Sequence, residues 1–574
     1  MKAGLLAIRA TNQYRRRDVL AYLGLRYYLD NSAARSDRWA REVAPDLILR
    51  REEPCYLTVQ HFKEADSLGR VTHREMFLPG PNEALAEASL LDACAQSGEL
   101  FSPSKSVFSY RLANADDLSG VYQHYMHGLR QRHEAIASAC KQSPDAAVLH
   151  LDIRRFYPSV TIPRATSAWL SAAESQGMDR HWIDVGLHLL QDHARASATG
   201  NGHLLTGPMF SHLVGNLLLR PVDQAMSRLP VRYFRYVDDV TLVGTDAQLD
   251  SAMSSLKSSL DELDLSLHGQ DSAKWLKVSA ETWLLGENDF VEPRRGNSWM
   301  SLIGDLKRLL VLSPELREPL LEEFAANEIR LPVPDYASTV QERSYKVRLT
   351  ELLNATWFRK IARKPSISGL VGHAIELRKQ YESEARQLLD TISAADPFLA
   401  KRLLPKIRYR FGRLAYLGEL AELGKLAGAA RTIPALKFQS AVANSIATGD
   451  VNEIIDYGAN AAQAVAQPLS MRTSQVVVGK QMLNPAAQQA LAVLRMNGLS
   501  VEGPPLGDAQ SQLLKFATFG ADRPMMKSSE PFLRELACLH GLSEAPRHQA
   551  MLTTAFDAAE EITFDAIEQE HQSS

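Results

Sequence analysis

Apolar and polar positions along this chain repeat with two different periods. Residues 147–160, AVLHLDIRRFYPSV, and 231–244, VRYFRYVDDVTLVG, are rich in β-branched and aromatic side chains. The first reads as a strand, the second as a tight hairpin with a polar tip. Residues 105–112, KSVFSYRL, alternate in the same way and predict a further strand-like piece. Elsewhere the period is helical. Residues 1–100 are mostly helical by pattern, with Ala84–Cys94 a strong short helix. Residues 121–142 predict an amphipathic helix that stops before the Pro144-Asp145 turn, and 165–197 predict a helix carrying Trp169, Trp182, Leu187, Leu189 and Leu190 on its apolar face. Residues 246–267 give a helix that should pack under the strands. From about 300 onward helix follows helix, as in WMSLIGDLKRLLVL, VRLTELLNATWFRKIARK and LVGHAIELRKQYESEARQLLDTI. The pairs are of similar length without a strict repeat, in the manner of an irregular α-solenoid.

The chemistry gathers on the strands. Asp238 and Asp239 are adjacent between two apolar runs, and ionised carboxylates that close repel unless a cation sits on them. Oxygen donors of this hardness favour Mg2+, with Mn2+ as second choice. Alone, the pair reads equally well as a polar turn, since aspartate is common there. Asp152 adds a third carboxylate at the end of another apolar run, followed by Phe156 and Tyr157, and the three together can supply a two-metal site.

These residues carry a resemblance. YVDD at 236–239 resembles the Tyr-x-Asp-Asp box of reverse transcriptases, and LDIRRFYPSV resembles their first catalytic motif. Between them, TGPMFSHLVGNLLL is similar to the family's Gly-x-x-x-Ser-x-x-x-x-Asn segment, with Gly207, Ser211 and Asn216 in register; WLLGE at 283–287 resembles the primer-grip turn. The resemblance spans roughly residues 100–290. It implies an α+β right-hand polymerase with fingers, palm and thumb, followed by an all-α C-terminal domain: 1–145 as helical region and fingers, 146–295 as palm, 296–385 as thumb-like helices, 386–574 as the helical domain. It further implies that Asp152 and Asp238 hold two ions, that Asp239 assists, and that the Ile153 carbonyl is an extra ligand. Phe156 and Tyr157 then lie under the nucleotide sugar, Tyr157 as a steric gate favouring deoxynucleotides or else a packing aromatic. Arg111 covers the triphosphate, or is an ordinary exposed arginine. Asn216 contacts the nucleotide, or is a packing amide. Lys274, with Lys277 as rival, protonates the leaving pyrophosphate. Tyr236, Leu285 and Gly286 face nucleic acid. Leu204-Leu205-Thr206-Gly207 departs from the family's Leu-Pro-Gln-Gly, which puts template use in question.

A palm followed by a long helical extension resembles the abortive-infection and defence-associated bacterial reverse transcriptases. That implies an anti-phage role, deoxynucleoside triphosphates as substrates, and RNA or single-stranded DNA as partner, with room for a bound non-coding RNA. Untemplated, protein-primed synthesis by the same site and an inactive nucleic-acid-binding scaffold stay open beside templated copying.

Composition narrows the picture further. At 574 residues the chain suggests about three domains of roughly 150–200 residues. Its 45% hydrophobic and 23% charged content is that of a globular protein with a sizeable core. No apolar run approaches the roughly 20 residues that span a bilayer, and the first residues lack a secretory pattern, so a cytoplasmic protein with no membrane partner is expected. Four scattered cysteines make no Cys-x-x-Cys pair, so no zinc ribbon or disulfide framework is expected. A net charge of −3 means that positive charge for phosphate must be local. Arg15-Arg16-Arg17 offers it, or is a solvated helix end. Residues 401–416 interleave Lys401, Arg402, Lys406, Arg408 and Arg410 with Tyr409, Phe411 and Tyr416. That pattern suits single-stranded nucleic acid, or a solvated helix face over core aromatics. The helical half also leaves room for a homo-oligomer, and the EQEHQSS tail should be disordered.

Overall fold

The computed structural model describes residues 4–14, 19–29, 36–66, 70–114, 120–197, 202–272, 274–285, 298–333 and 365–538. Arg15–Arg17, residues 199–201, Gly286, all of VRLTELLNATWFRKIARK and the tail lie outside them. The chain is mixed α+β, with many helices and small sheets. Among the described residues no helix is long and apolar enough to cross a membrane. It divides into two compact units, one of Met1–Val59, Glu75–Val291 and Ala521–His540, the other of Gln60–Arg74, Glu292–Gly520 and Gly541–Ser574.

The first unit is built round a four-stranded antiparallel sheet. In chain order its strands are β3 (Ala147–Asp152), β4 (Arg232–Tyr236), β5 (Asp239–Gly244) and β6 (Leu276–Ser279), arranged β4-β5-β3-β6. Strands β1 (Tyr56–Ala65) and β2 (Val71–Pro79) form a separate pair. Register decides which side chains share a face. Val148 opposes Val243, His150 opposes Thr241, and Asp152 opposes Asp239. On that face Val148, Val243 and Phe234 pack with Ile136 and Cys140 of the Tyr125–Gln142 helix and with Ala280. Tyr233 and Arg235 project from the opposite face, where both hydrogen-bond Asp223 of the Met209–Ser227 helix. With both faces covered, Val240, Thr241, Leu242 and Val243 are all buried, which explains why β5 reads as an unbroken apolar run.

Several sequence expectations change. Residues 1–100 contain the β1–β2 hairpin, whose many charged positions hide its alternation. The 165–197 helix is two, Ile162–Ser175 and Arg180–Ala196, parted at Gly177, which has a φ of +62° that breaks helical geometry. The 246–267 helix ends at Asp261; Leu267 then bridges Ile153 in extended backbone. KSVFSYRL is not a strand. It meets the sheet through a bridge from Val107 to Arg235, and Tyr110 adopts a left-handed φ of 51°.

In the second unit helix does follow helix, among them Trp299–Leu312, Ile367–Ala394, Pro397–Leu417, Leu420–Arg431 and Lys437–Thr448. Asp396 caps the Pro397–Leu417 helix by accepting the amides of Phe398 and Leu399. A small parallel pair, Gln475–Val477 with Ser500–Glu502, interrupts the helical run.

Candidate active site at the Asp238-Asp239 hairpin

The β4–β5 turn holds Val237 and Asp238 between the paired residues Tyr236 and Asp239. Val237 has a φ of 57°, an uncommon conformation for a β-branched residue that the surroundings must enforce. They do so through Arg235. This arginine, 1% exposed, grips Asp223 with two bonds of 2.7 Å and donates to the Val237 carbonyl at 2.9 Å and to Asn216 Oδ1 at 3.2 Å. The Val237 amide donates to Ser109 Oγ at 2.7 Å. A bidentate, buried ion pair therefore fixes the turn from behind.

The three aspartates meet at this end of the sheet. Asp152 and Asp239 are register partners, and the Ile153 amide donates to the Asp238 carbonyl at 3.0 Å. Burial first, then the charges of Asp152 and Asp239, push Asp238 up to about 6. Lys274 Nζ donates to Asp152 Oδ2 at 2.6 Å, whereas Lys277 pairs with Asp246 at 2.8 Å. Burial pulls on the Lys274 ammonium, but its bond to Asp152 and the three carboxylates outweigh that and raise it above its ordinary range. His268 Nε2 lies 3.3 Å from Asp152 Oδ1, and His150 Nε2 lies 3.5 Å from Asp239 Oδ1. Buried Arg132 donates to Thr241 Oγ1 at 2.7 Å; burial lowers its ionisation range while Asp239 opposes the shift.

Donor chemistry and charge at this site fit a hard divalent cation: three carboxylates, one of them held up by burial and then by its like-charged neighbours, with Lys274 as counter-charge. Spacing is looser. No three ligand atoms from Asp152, Asp238, Asp239, His150 and His268 all lie within 4.8 Å of one another. Residues that would hold metal are thus gathered, with an ammonium on Asp152.

The other sequence candidates are placed as follows. Ile153 is buried beside Asp152. Phe156 is buried and Tyr157 half-buried, in a one-turn helix entered through Arg155 at a left-handed φ of 49°. The Tyr157 hydroxyl is 2.6 Å from His212 Nδ1, and His212 stacks on Tyr110 with ring centres 3.8 Å apart. Arg111 is engaged within the chain, donating to Val107 O at 3.0 Å and Gln131 Oε1 at 3.0 Å. Asn216 donates to Ser109 O at 3.3 Å while accepting from Arg235, so its amide serves the hairpin. Ser211 is wholly buried. Gly207, at a φ of +129°, lies so close to β2 that a Cβ would collide with the Phe77 carbonyl. The adjoining Thr206 carbonyl accepts the Phe77 amide at 2.9 Å, and Leu205 packs on Tyr56 and Phe77. Residues 204–207 therefore pack against β1 and β2. Tyr236 donates to the Tyr125 carbonyl at 3.1 Å. Leu285, 69% exposed, follows the short Ala280–Leu284 helix, so WLLGE begins as helix rather than turn.

Lys401, Arg402, Lys406, Arg408 and Arg410 lie in the second unit on the Pro397–Leu417 helix. Arg410 sits over the rings of Tyr381 and Tyr409 at 4.7 and 4.9 Å and pairs with Glu384 at 2.5 Å. Arg408 donates to the Ala435 carbonyl at 2.9 Å. These aromatics thus stack on the chain's own arginines.

Sequence reading missed Asp223, Arg235, Arg132, His150 and His268. Arg235 carried a readable signal, a charge at an inward position of an otherwise apolar strand, but its partner on a helix did not. No model of a known protein family matches the chain, and no curated protein is similar to it in sequence.

Proposed function

We propose that the chain is a nucleotidyltransferase of the reverse-transcriptase kind, adding deoxynucleotides at the Asp152, Asp238 and Asp239 site. The observation that carries this reading is the pairing of Asp152 with Asp239 across adjacent strands, with Asp238 in the intervening turn and Lys274 on Asp152. Mg2+ bound by these carboxylates would supply Lewis-acid activation of the attacking hydroxyl and charge neutralisation at the phosphates. The chain's own residues do the rest. Arg235 and Asp223 hold the turn so that Asp238 and Asp239 keep their places. Lys274, protonated, moves from Asp152 to the leaving pyrophosphate and donates its proton there. Tyr157, held by His212, presents its ring to the sugar and excludes a 2′-hydroxyl. The fingers, palm and thumb assignment, and a role in anti-phage defence, rest on the motif resemblance.

One observation favours the scaffold reading: Lys274 already neutralises Asp152, filling a cation's electrostatic place. Pyrophosphate release separates the two. Supplied with Mg2+ and deoxynucleotides, with and without an RNA template and primer, the wild type should release pyrophosphate and Asp238→Asn should not. Equal, background release by both proteins under both conditions would make the chain a scaffold.

A further inference from the structure

A second cluster of ligating side chains in the first unit shares no residue with the hairpin site. Cys55 Sγ and carboxylate oxygens of Glu83 and Glu535 all lie within 4.8 Å of one another. Their residues are 0%, 0% and 9% exposed. They come from the approach to β1, the first turn of the Pro81–Ser97 helix, and the Pro531–Ala537 helix.

Three observations point to a missing partner. Arg51 donates to Glu83 and, at 3.1 Å, to Glu535, so one guanidinium faces two buried carboxylates. That leaves one negative charge unmatched, a costly state in a dry interior. Secondly, Glu83 Oε2 is buried without a hydrogen-bond partner, whereas Glu535 Oε1 accepts the Asn82 amide at 2.6 Å. Thirdly, Cys55 Sγ and Glu83 Oε2 converge on one point. A Cβ on Gly80 would collide with the sulfur and lie 2.7 Å from that oxygen.

We propose that Cys55, Glu83 and Glu535 form a structural zinc site, with Arg51 as the neighbour that orients both carboxylates. A thiolate beside two carboxylates suits zinc better than Mg2+, because sulfur is a soft donor. Charges then close: three negative ligands balance one dication and one guanidinium. When zinc binds, a sulfur–zinc bond forms, and the Cys55 proton and the proton held by the Glu83–Glu535 carboxyl pair leave to solvent. The fourth ligand is a trapped water. The ion ties the Pro531–Ala537 helix to the start of the Pro81–Ser97 helix. The competing occupant is a proton, since burial, joined at Glu83 by the charge of Glu535, raises both carboxyls.

The test measures metal content and cobalt spectra on the full-length protein. Wild type and Asp238→Asn should each hold zinc one-to-one after purification, and Cys55→Ala and Glu535→Gln should lose at least nine-tenths of it. Co2+ exchanged into the wild type should show a thiolate-to-cobalt charge-transfer band that Cys55→Ala lacks. A chelator should lower the Tm of wild type and leave that of Cys55→Ala unmoved. If the variants fail to fold, the wild-type cobalt spectrum decides alone. A folded wild type that takes up neither ion, or binds cobalt without the thiolate band, overturns the proposal and leaves the proton as occupant.

Discussion

Asp238 stands where a negative charge is least welcome: burial, then Asp152 and Asp239, lift it from 3.8 to about 6. A carboxyl raised by folding helps stability while protonated and costs stability once ionised, so its penalty grows as pH rises through that window. In chelator, Asp238→Asn should therefore be more stable than wild type at pH 7.5, by on the order of 1–2 kcal/mol. Urea unfolding should show that margin shrinking between about pH 6 and 4, while nucleotide addition is lost at every pH. A margin that is flat with pH would mean that neither burial nor the neighbouring charges raise Asp238 in the folded protein. Tyr157 gives a second residue-scale outcome. With its hydroxyl on His212, Tyr157→Ala should admit ribonucleotides, raising their incorporation relative to deoxynucleotides by about tenfold or more, as removing a clash worth at least 1.4 kcal/mol implies. An unchanged ratio would make Tyr157 a packing ring.

At the scale of elements the β4–β5 hairpin depends on the Arg235–Asp223 pair. Arg235→Met leaves Asp223 as an uncompensated buried charge and should cost about 3–5 kcal/mol in denaturant unfolding. Adding Asp223→Leu should restore much of that stability without restoring activity, because the Val237 carbonyl and Asn216 stay unheld. Activity recovering together with stability would show that the pair does not position the turn. Gly207→Ala should destabilise by about 1–3 kcal/mol, since a Cβ there meets the Phe77 carbonyl at a φ of +129°; no loss would argue against close packing on β2. The contrast between these elements explains what could be read in advance. Asp152, Asp238 and Asp239 could be singled out because carboxylates stand out in apolar strands, and Lys274 because the resemblance implies a lysine after the predicted helix. Arg235's role could not, because its meaning lies in a partner on another helix. Asn216, Gly207 and Arg111 were read as nucleotide contacts from the motif resemblance, and a motif is silent on whether a side chain is already engaged within the fold. The β1–β2 hairpin was hidden because Lys63, Glu64, Arg74 and Glu75 give it the charged look of a solvated helix.

Across the whole molecule the net charge is −3, and the basic Pro397–Leu417 helix of the second unit stacks Arg410 on Tyr381 and Tyr409 and Arg413 on Tyr409 and Trp299. Arg410→Ala should consequently lower stability by about 1–2 kcal/mol, through lost ring and ion-pair contacts, more than it weakens binding of single-stranded DNA. Thermal melts and fluorescence anisotropy would check this, and the reverse order would restore the helix as a nucleic-acid surface. The central claim concerns the three aspartates, and the most direct measurement is a denaturing gel of full-length protein incubated with Mg2+ and labelled deoxynucleotides. It is run with and without an RNA template and primer, before and after protease. Labelled product from wild type, and none from Asp238→Ala-Asp239→Ala, is the predicted result; label released only by protease would mark a protein primer. Product of equal amount from the double variant, or none from wild type under every condition, would contradict it.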